Sequence, residues 1–210
     1  MERLRQWLRA RIGYRSALYR FGSAVLNECA VALRAGPGVA MRIWRLRLSP
    51  PGVQRAIKFP GIIHPFLIRS HSDDLGTAIN NFVRLEYGQL PASFEPRTIV
   101  DAGAYIGDTS AWFLSRYPQA QVIALEPATA SLQIATHNQW PYCARVEVKK
   151  AALGATRGMV FISGNETAAG ISTSGEAVPL LTVPDLIAEF PDQRIDLLKL
   201  DIEGAEREVL

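Results

Sequence analysis

The stretch that most constrains the fold is 101–107, which reads Asp-Ala-Gly-Ala-Tyr-Ile-Gly and follows the apolar run Thr-Ile-Val at 98–100. A β-branched strand that ends in an acidic residue, followed by two glycines and then a helix, is typical of the turn at which an α/β sheet binds a nucleotide. Because glycine has no Cβ, we expect Gly103 and Gly107 to leave room for a ligand and the main-chain groups of the turn to lie bare. The free N–H groups of a helix beginning near Asp108 would face the same place.

The spacing of the glycines narrows the class of ligand. A dinucleotide-binding fingerprint starting at Gly103 needs glycine at 105 and glycine or alanine at 108, but the chain has Tyr105 and Asp108. A phosphate-binding P-loop ends in Gly-Lys-Ser or Gly-Lys-Thr, and neither tripeptide occurs in the sequence. The carboxylate of Asp101 also disfavours a nearby phosphate and suits the cationic end of a nucleoside that carries an amino acid. The turn therefore predicts a nucleoside ligand without a pyrophosphate.

A second carboxylate, Glu126, ends the next predicted strand, 121–126, and is followed by Pro127. At the tip of a neighbouring strand, a glutamate can accept two hydrogen bonds from a ribose diol. With Asp101 at the methionine end and Glu126 at the ribose end, the pair indicates S-adenosylmethionine.

Four stretches, in order along the chain, resemble the FkbM family of class I methyltransferases. They are an upstream set (Ile68, Arg69, Ser72, Asp73, Phe82, Glu86 and Tyr87), 100–110 (VDAGAYIGDTS), 124–127 (ALEP) and 196–206 (DLLKLDIEGAE). The resemblance implies a Rossmann-like α/β fold, S-adenosylmethionine as cofactor, and methyl transfer to a hydroxyl of a sugar, glycoconjugate or other natural product. It implies cofactor contacts from Asp101, Gly103, Ala104, Gly107, Glu126 and Pro127. The chain departs from the family at Tyr105, where asparagine is more frequent.

Candidate catalytic groups lie at the end of the strand predicted at 195–202. In methyl transfer the enzyme mainly aligns the acceptor, and a nearby base helps the hydroxyl proton to leave. Asp201 is the first candidate base because its strand-end position faces the departing methyl group, Glu203 is the second, and His71, in the upstream segment, is the third. Lys199 shares a strand face with Asp201 and is predicted to balance the charge of the carboxylates.

Metal and disulfide chemistry have little support in the sequence. Asp201 and Glu203 could hold a divalent cation, but no third ligand is evident, so we predict no metal site. Cys29 and Cys143 are far apart in sequence and belong to no Cys/His cluster. We expect both to be reduced thiols, which favours a cytoplasmic location.

Strands and helices alternate after residue 97, which predicts a mostly parallel sheet with right-handed crossovers and helices on both faces. The expected elements are strands at 98–101, 121–126, 145–150 and 195–202, helices at 108–117, 128–139 and 184–190, and a hairpin around 159–181. Before them, Ser72 or Asp73 can begin a helix that runs to about Tyr87 and could lie over the cofactor.

The predicted sheet is incomplete. A class I methyltransferase has seven strands in the order 3-2-1-4-5-7-6, whereas this chain ends just after the fourth strand. We expect these 210 residues to be an N-terminal fragment, truncated after the fourth strand, that aggregates or stays loosely packed and inactive on its own. The fourth strand would then have an unpaired edge. If residues 1–60 covered that edge, we would no longer expect aggregation or loose packing.

Charge divides the chain near residue 60. Residues 1–60 carry 12 Lys/Arg against 2 Asp/Glu, whereas 61–210 carry 11 against 18. We therefore predict a basic, mainly helical appendage at 1–60 and the methyltransferase domain at 61–210. Residues 1–21 suit an amphipathic helix that either contacts the inner membrane surface peripherally or packs on protein. The basic stretch lacks aromatic stacking platforms, so we predict no nucleic-acid partner.

Two other function classes stay open at this point. One is a nucleotide-sugar or NAD-binding module without methyl chemistry, which a glycine at 105 would favour. The other is a non-catalytic adaptor that docks on membranes through its basic N-terminus. Binding of S-adenosylmethionine by the purified protein separates the adaptor from a methyltransferase.

Overall fold

The computed structural model describes residues 31–163 and 174–202, the single residues Cys29 and Val209, and the backbone of 170–172. The chain divides into two compact units, the first reaching Ser49 and the second starting at Pro50. The helix expected over residues 1–21 lies outside the described residues, and so does Glu203. The expected division into 1–60 and 61–210 stays a prediction.

Helix α1 (Pro37–Arg47) lies in the first unit. Gly36 precedes it with a φ of 88°, and Pro37 occupies the first turn, where its missing N–H would have no partner within the helix. Arg45 and Arg47 lie in the last turn, where positive charge complements the helix dipole. Residues 37–47 of the basic N-terminal region are therefore helical.

The second unit alternates strands with helices along most of its length. Its elements are β1 (Gln54–Ile57), β2 (Phe66–Arg69), α2 (Asp74–Phe82), β3 (Thr98–Ala102), α3 (Asp108–Arg116), β4 (Gln121–Leu125), α4 (Thr129–Gln139), β5 (Val146–Lys149), β6 (Ala152–Leu153), β7 (Gly158–Ser163), β8 (Gly170–Ser172), β9 (Glu176–Leu181), α5 (Val183–Glu189) and β10 (Leu197–Leu200).

The central sheet is parallel, with strands in the order β10-β3-β4-β5. The register aligns Ala102 with Leu125 on one side and with Leu200 on the other, so the carboxyl ends of β3, β4 and β10 lie side by side. The predicted Rossmann-like α/β fold is confirmed. The order also agrees with the first four strands of the expected 3-2-1-4-5-7-6 pattern.

Helices pack on both faces of this sheet. Val100 and Ala102 of β3 belong to a core cluster that also contains Leu186 of α5. Asp101 alternates with these two residues along the strand and points to the other face, where its carboxylate contacts Ser110 of α3. The sheet therefore buries a polar group, as well as apolar ones, on the α3 side.

A smaller sheet has the strand order β6-β9-β7-β8. The hairpin expected around 159–181 is confirmed, because β7 and β9 pair antiparallel. The sequence did not predict the parallel pairing of β6 with β9. Val160, Ile162 and Val178 form the buried side of this sheet.

One expectation about the upstream segment is wrong, and one of its features was not predicted. Helix α2 ends at Phe82 rather than near Tyr87, because Leu85 adopts a φ of 57°, a left-handed conformation that an α-helix cannot contain. Strands β1 and β2 form an antiparallel hairpin that the sequence did not predict. Their connection, 58–65, is long and has no two-residue turn signal.

The backbones that follow β3 and β10 stay in close contact just beyond the ends of the two strands. The N–H of Asp201 donates to the carbonyl of Ala102 at 3.1 Å, and the Asp201 carbonyl lies against the Cα of Gly103. A Cβ at position 103 would overlap that carbonyl oxygen, and the φ of 77° there is one that other residues rarely adopt. This backbone contact requires glycine.

Replacing Gly103 by alanine should therefore lower the free energy of unfolding by about 2–4 kcal/mol, through backbone strain and the steric clash with Asp201. Urea unfolding followed by circular dichroism measures the change. Gly76→Ala is the matched control, since a Cβ there meets nothing within 4 Å, and it should stabilise α2 by about 0.5–1 kcal/mol. Equal stability of the two variants would contradict the contact.

Candidate active site

The turn after β3 is hydrogen-bonded to the protein rather than left bare. The N–H groups of Gly103 and Ala104 both donate to the carbonyl of Leu125, at 3.0 and 2.8 Å, and the N–H of Gly107 donates to the carbonyl of Ala104 at 2.7 Å. The expectation that these main-chain groups lie bare is wrong, because the turn is fastened to the end of β4.

The space beside the two glycines is also filled by protein. At Gly103 it is occupied by the carbonyl of Asp201, and at Gly107 by the side-chain amide of Gln139, which donates to the Gly107 carbonyl at 2.6 Å. The expectation that these glycines leave room for a ligand is therefore wrong: they let other parts of the protein pack closely against the turn. Their contacts with a cofactor stay a prediction.

Glu126 presents a buried carboxylate at the end of β4. Its Oε2 accepts the N–H of Tyr105 and its Oε1 accepts the N–H of Ala128, both at 2.8 Å. Burial raises the pKa of Glu126 to about 7, although the two N–H bonds lower it. An ionised carboxylate has about four lone-pair sites, so each oxygen can accept one more hydrogen bond. That unused capacity fits the two hydroxyls of a ribose.

Asp101 and Lys199 form a buried ion pair at the ends of β3 and β10. The Lys199 Nζ lies 3.0 Å from Asp101 Oδ1 and donates to the Gly103 carbonyl at 2.6 Å, while Ser110 donates to Asp101 Oδ2 at 2.6 Å. Burial lowers the pKa of Lys199, but the charge and hydrogen bond of Asp101, together with Tyr87 and Asp201, raise it, and the net result is a raised pKa. The charge-balancing position predicted for Lys199 is confirmed. Because Asp101 is fully buried, its direct contact with a cofactor stays a prediction.

Asp201 follows β10 directly and lies on the carboxyl edge of the sheet. Its side chain is 75% exposed, and its Oδ2 is 3.9 Å from the Lys199 Nζ. A carboxylate in this position is accessible to an acceptor that approaches the end of the sheet. His71 lies in an exposed turn between β2 and α2, with a φ of 57°, and its catalytic role stays a prediction, as does that of Glu203.

Sequence reasoning missed Asp108 as a member of this site. The residue begins α3 and is 3% exposed, and its Oδ2 accepts a hydrogen bond from Asn81 Nδ2 at 2.6 Å. The same Asn81 nitrogen donates to Thr109 Oγ1 at 3.1 Å. Burial, followed by repulsion from Asp101, raises the pKa of Asp108 to about 6. An aspartate at a helix start gives no sign in the sequence that it will be buried.

A second missed group joins the upstream segment to the glycine turn. Asp74 is fully buried and accepts hydrogen bonds from the Arg69 N–H, Nε and Nη2 at 2.9, 2.9 and 2.7 Å. Tyr105 donates its hydroxyl proton to Asp74 Oδ1 at 2.8 Å. The Arg69 guanidinium carbon lies 5.9 Å from the centre of the Tyr105 ring. The sequence identified Tyr105 only as a departure from a family pattern.

Within the part of the chain that the structure describes, no three His, Cys, Asp or Glu side chains are grouped so that they could hold a metal ion. None of its helices combines the length and the hydropathy needed to cross a membrane.

The sequence model described as "Methyltransferase FkbM domain" matches residues 101–210, slightly more than half of the chain. "Methyltransferase sdnD" of Sordaria araneosa is 33% identical over 53% of this chain and 58% of that protein. "Methyltransferase 1" of Beauveria bassiana (strain ARSEF 2860) is 28% identical over 53% of this chain and 56% of that protein. The chain thus spans little more than half the length of these relatives.

Among solved structures, the crystal structure of Methyltransferase FkbM from Methylobacillus flagellatus KT aligns with a TM-score of 0.44 and 22% sequence identity. The alignment covers 58% of this chain and 30% of that chain.

The raised pKa of Asp108 predicts a pH-dependent stability. Between the unfolded value near 4 and the folded value of about 6, the folded protein binds more protons at this site than the unfolded chain, so the site lowers the free energy of unfolding as the pH rises. Asp108→Asn removes this loss. As the pH rises from 4 to 7, the free energy of unfolding of the variant should therefore increase by on the order of 2 kcal/mol relative to that of the wild type. Urea unfolding at a series of pH values measures the difference.

Asp192→Asn, at an exposed aspartate, is the matched control for the loss of one carboxylate. A stability difference between Asp108→Asn and the wild type that does not change with pH would contradict the prediction.

Proposed function

The chain belongs to the FkbM methyltransferase family, and on that premise we propose that it transfers a methyl group from S-adenosylmethionine to a hydroxyl of a sugar, a glycoconjugate or another natural product. The proposal for the cofactor rests on the environment of the Glu126 carboxylate. It is a buried carboxylate at the end of β4, beside the glycine turn, and each of its oxygens has only one main-chain N–H donor among its hydrogen bonds. A ribose diol supplies the two further donors that such a carboxylate can accept.

The residues around Glu126 are compatible with the rest of this cofactor. Glu126 would hold the ribose, with Pro127, Gly103, Ala104 and Gly107 forming the adjoining surface. Asp101 would lie towards the methionine end, and its pairing with Lys199 keeps that part of the site close to neutral. Bound there, S-adenosylmethionine would supply an electrophilic methyl group on its sulfonium.

The chemistry left to the protein is alignment of the acceptor and removal of its proton. We assign the proton to Asp201, whose carboxylate is exposed on the carboxyl edge of the sheet and is held on the backbone by the Ala102 carbonyl. An acceptor hydroxyl would give its proton to this carboxylate as the new carbon–oxygen bond forms. The Lys199 Nζ, 3.9 Å away, places a positive charge beside this carboxylate.

The proposal also covers the class of acceptor, the partners and the cellular location of the protein. The acceptor rests on the family resemblance, which favours a small-molecule or glycan hydroxyl, and we propose no nucleic-acid partner. A cytoplasmic location is supported by the two distant cysteines. The basic charge of residues 1–60 supports peripheral contact with the inner membrane surface through residues 1–21.

Replacing Glu126 by glutamine should weaken the binding of S-adenosylhomocysteine by about 1–3 kcal/mol, because the ribose hydroxyls lose a charged acceptor. Isothermal titration calorimetry measures the dissociation constant. Glu95→Gln, at an exposed glutamate before β3, is the matched control and should bind as the wild type does. A wild-type protein that binds neither S-adenosylmethionine nor its product would contradict the proposal and favour an adaptor.

Binding should also depend on pH through Glu126, since only the ionised form accepts two hydroxyl protons and its pKa is about 7. Affinity for 5′-methylthioadenosine, which has the ribose but no ionisable amino acid, should fall as the pH is lowered from 8 to 6. The charged groups that act on Glu126, Asp101 and Lys199, form an ion pair with each other, so we attribute the change to Glu126. In Glu126→Gln the affinity should no longer change over this range, and a persisting change would contradict the assignment.

In a form of the protein that turns over, replacing Asp201 by asparagine should lower kcat by about a hundredfold or more, because the base is lost, while the cofactor dissociation constant changes little. Formation of S-adenosylhomocysteine with a panel of methyl glycosides and polyols measures kcat. Asp192→Asn is the control for removal of an exposed aspartate. Equal losses in turnover and in cofactor affinity would reassign Asp201 to cofactor binding.

A further inference from the structure

Tyr105 has a backbone conformation that tyrosine rarely adopts. Its φ is 50°, in the left-handed region, where glycine and asparagine are tolerated and most other residues are strained. Such a conformation persists only where surrounding contacts hold it.

The side chain of Tyr105 is held at its far end. Its hydroxyl donates to Asp74 Oδ1 at 2.8 Å, a charge-assisted hydrogen bond in a site with no solvent exposure at Asp74. Asp74 is itself fixed by the Nε and Nη2 groups of Arg69, which bind its two oxygens separately. The tyrosine hydroxyl therefore bonds to a carboxylate that cannot turn away.

The main chain of Tyr105 reaches the other way. Its N–H donates to Glu126 Oε2 at 2.8 Å, so a single residue bridges the Asp74 carboxylate and the Glu126 carboxylate. Rotation of the backbone out of the left-handed region would redirect the peptide groups on both sides of Tyr105. Glu126 would then keep Ala128 as its N–H partner and lose the other.

We infer that Tyr105 is a positioning residue for cofactor binding: the hydrogen bond from its hydroxyl to Asp74 holds the left-handed backbone that aims its N–H at Glu126. The inference rests on the proposed role of Glu126 in holding the ribose. It assigns to the segment Arg69–Asp74 an indirect part in cofactor affinity, acting through Tyr105 rather than by touching the cofactor.

The inference makes different predictions for two substitutions at one position. Tyr105→Phe keeps the ring but loses the hydroxyl, so the strained backbone loses its anchor, and binding of 5′-methylthioadenosine should weaken about three- to tenfold. Asp74 stays satisfied in this variant because three Arg69 N–H groups still bind it. Tyr105→Asn also loses the hydroxyl, but asparagine accepts the left-handed conformation without an anchor, so its affinity should stay within about twofold of the wild type.

A second readout separates positioning from a general loss of stability. The N–H of Tyr105 lowers the pKa of Glu126, as does Lys199, while burial and Asp101 raise it. Loss of the N–H bond in Tyr105→Phe should therefore move the midpoint of the pH-dependent affinity to a higher pH. In the protein without ligand, the Glu126 side-chain carbon resonance should titrate at a correspondingly higher pH.

The matched control is Tyr142→Phe, which removes another tyrosine hydroxyl, one hydrogen-bonded to Ser115 at 2.8 Å outside the site. It should leave both the affinity and the pH midpoint unchanged even if it lowers stability as much as Tyr105→Phe. In a Glu126→Gln background, Tyr105→Phe should have no further effect on affinity.

The outcomes separate this inference from the proposed function. Suppose that the wild type binds 5′-methylthioadenosine and that Glu126→Gln binds it more weakly. If Tyr105→Phe then matches the wild type in affinity and pH midpoint, the positioning role is overturned and the proposed function stands. If Tyr105→Asn binds 5′-methylthioadenosine as weakly as Tyr105→Phe does, the tyrosine side chain does not act by holding the left-handed backbone, and the inference is likewise overturned. If the wild type binds no adenosine-containing ligand, the proposed function itself fails.

Discussion

The positive charge of Lys199 is the constraint on which the carboxyl edge of the central sheet depends. The edge carries Asp101, Asp108, Glu126 and Asp201, and Lys199 lies within 3.0 Å of the first and 3.9 Å of the last. It also lowers the pKa values of Asp108 and Glu126, although burial still leaves both raised. A buried carboxylate without a partner costs about 3–5 kcal/mol, so one lysine makes it possible to bury Asp101 fully beneath the glycine turn.

The positions of the main site residues could be predicted from the sequence, because they depend on strand ends. Once 98–101, 121–126 and 195–202 are identified as parallel neighbours, Asp101, Glu126 and Asp201 must lie at one edge of the sheet. The structure has that order and register. The position of Lys199 beside Asp201 could also be predicted, since residues at alternate positions of a strand share a face. Its pairing with Asp101 was not predicted, because it depends on the register of β10 against β3.

The contacts of the glycine turn could not be predicted, because their partners are supplied by other elements. The amides of Gly103 and Ala104 are taken up by the Leu125 carbonyl, and the space beside Gly107 is filled by Gln139 from the end of α4. Tyr105 shows the same limit. A sequence pattern can mark its residue type as unusual, but only the fold reveals that Asp74, 31 positions earlier, accepts its hydroxyl proton.

The pairing of β10 with β3 has a consequence for the order in which the site forms during synthesis. Leu197 is aligned with Ile99, so nearly a hundred residues separate the two strands in sequence, and the closure of such a long loop is slow compared with local folding. While the ribosome is still adding residues before 199, Asp101 has no cation to pair with and the turn above it has no Lys199 ammonium to bind the Gly103 carbonyl. The nascent chain can therefore pair β3 with β4 early, but the carboxyl edge of its sheet reaches its final charge balance only when the strand containing Lys199 leaves the exit tunnel and docks.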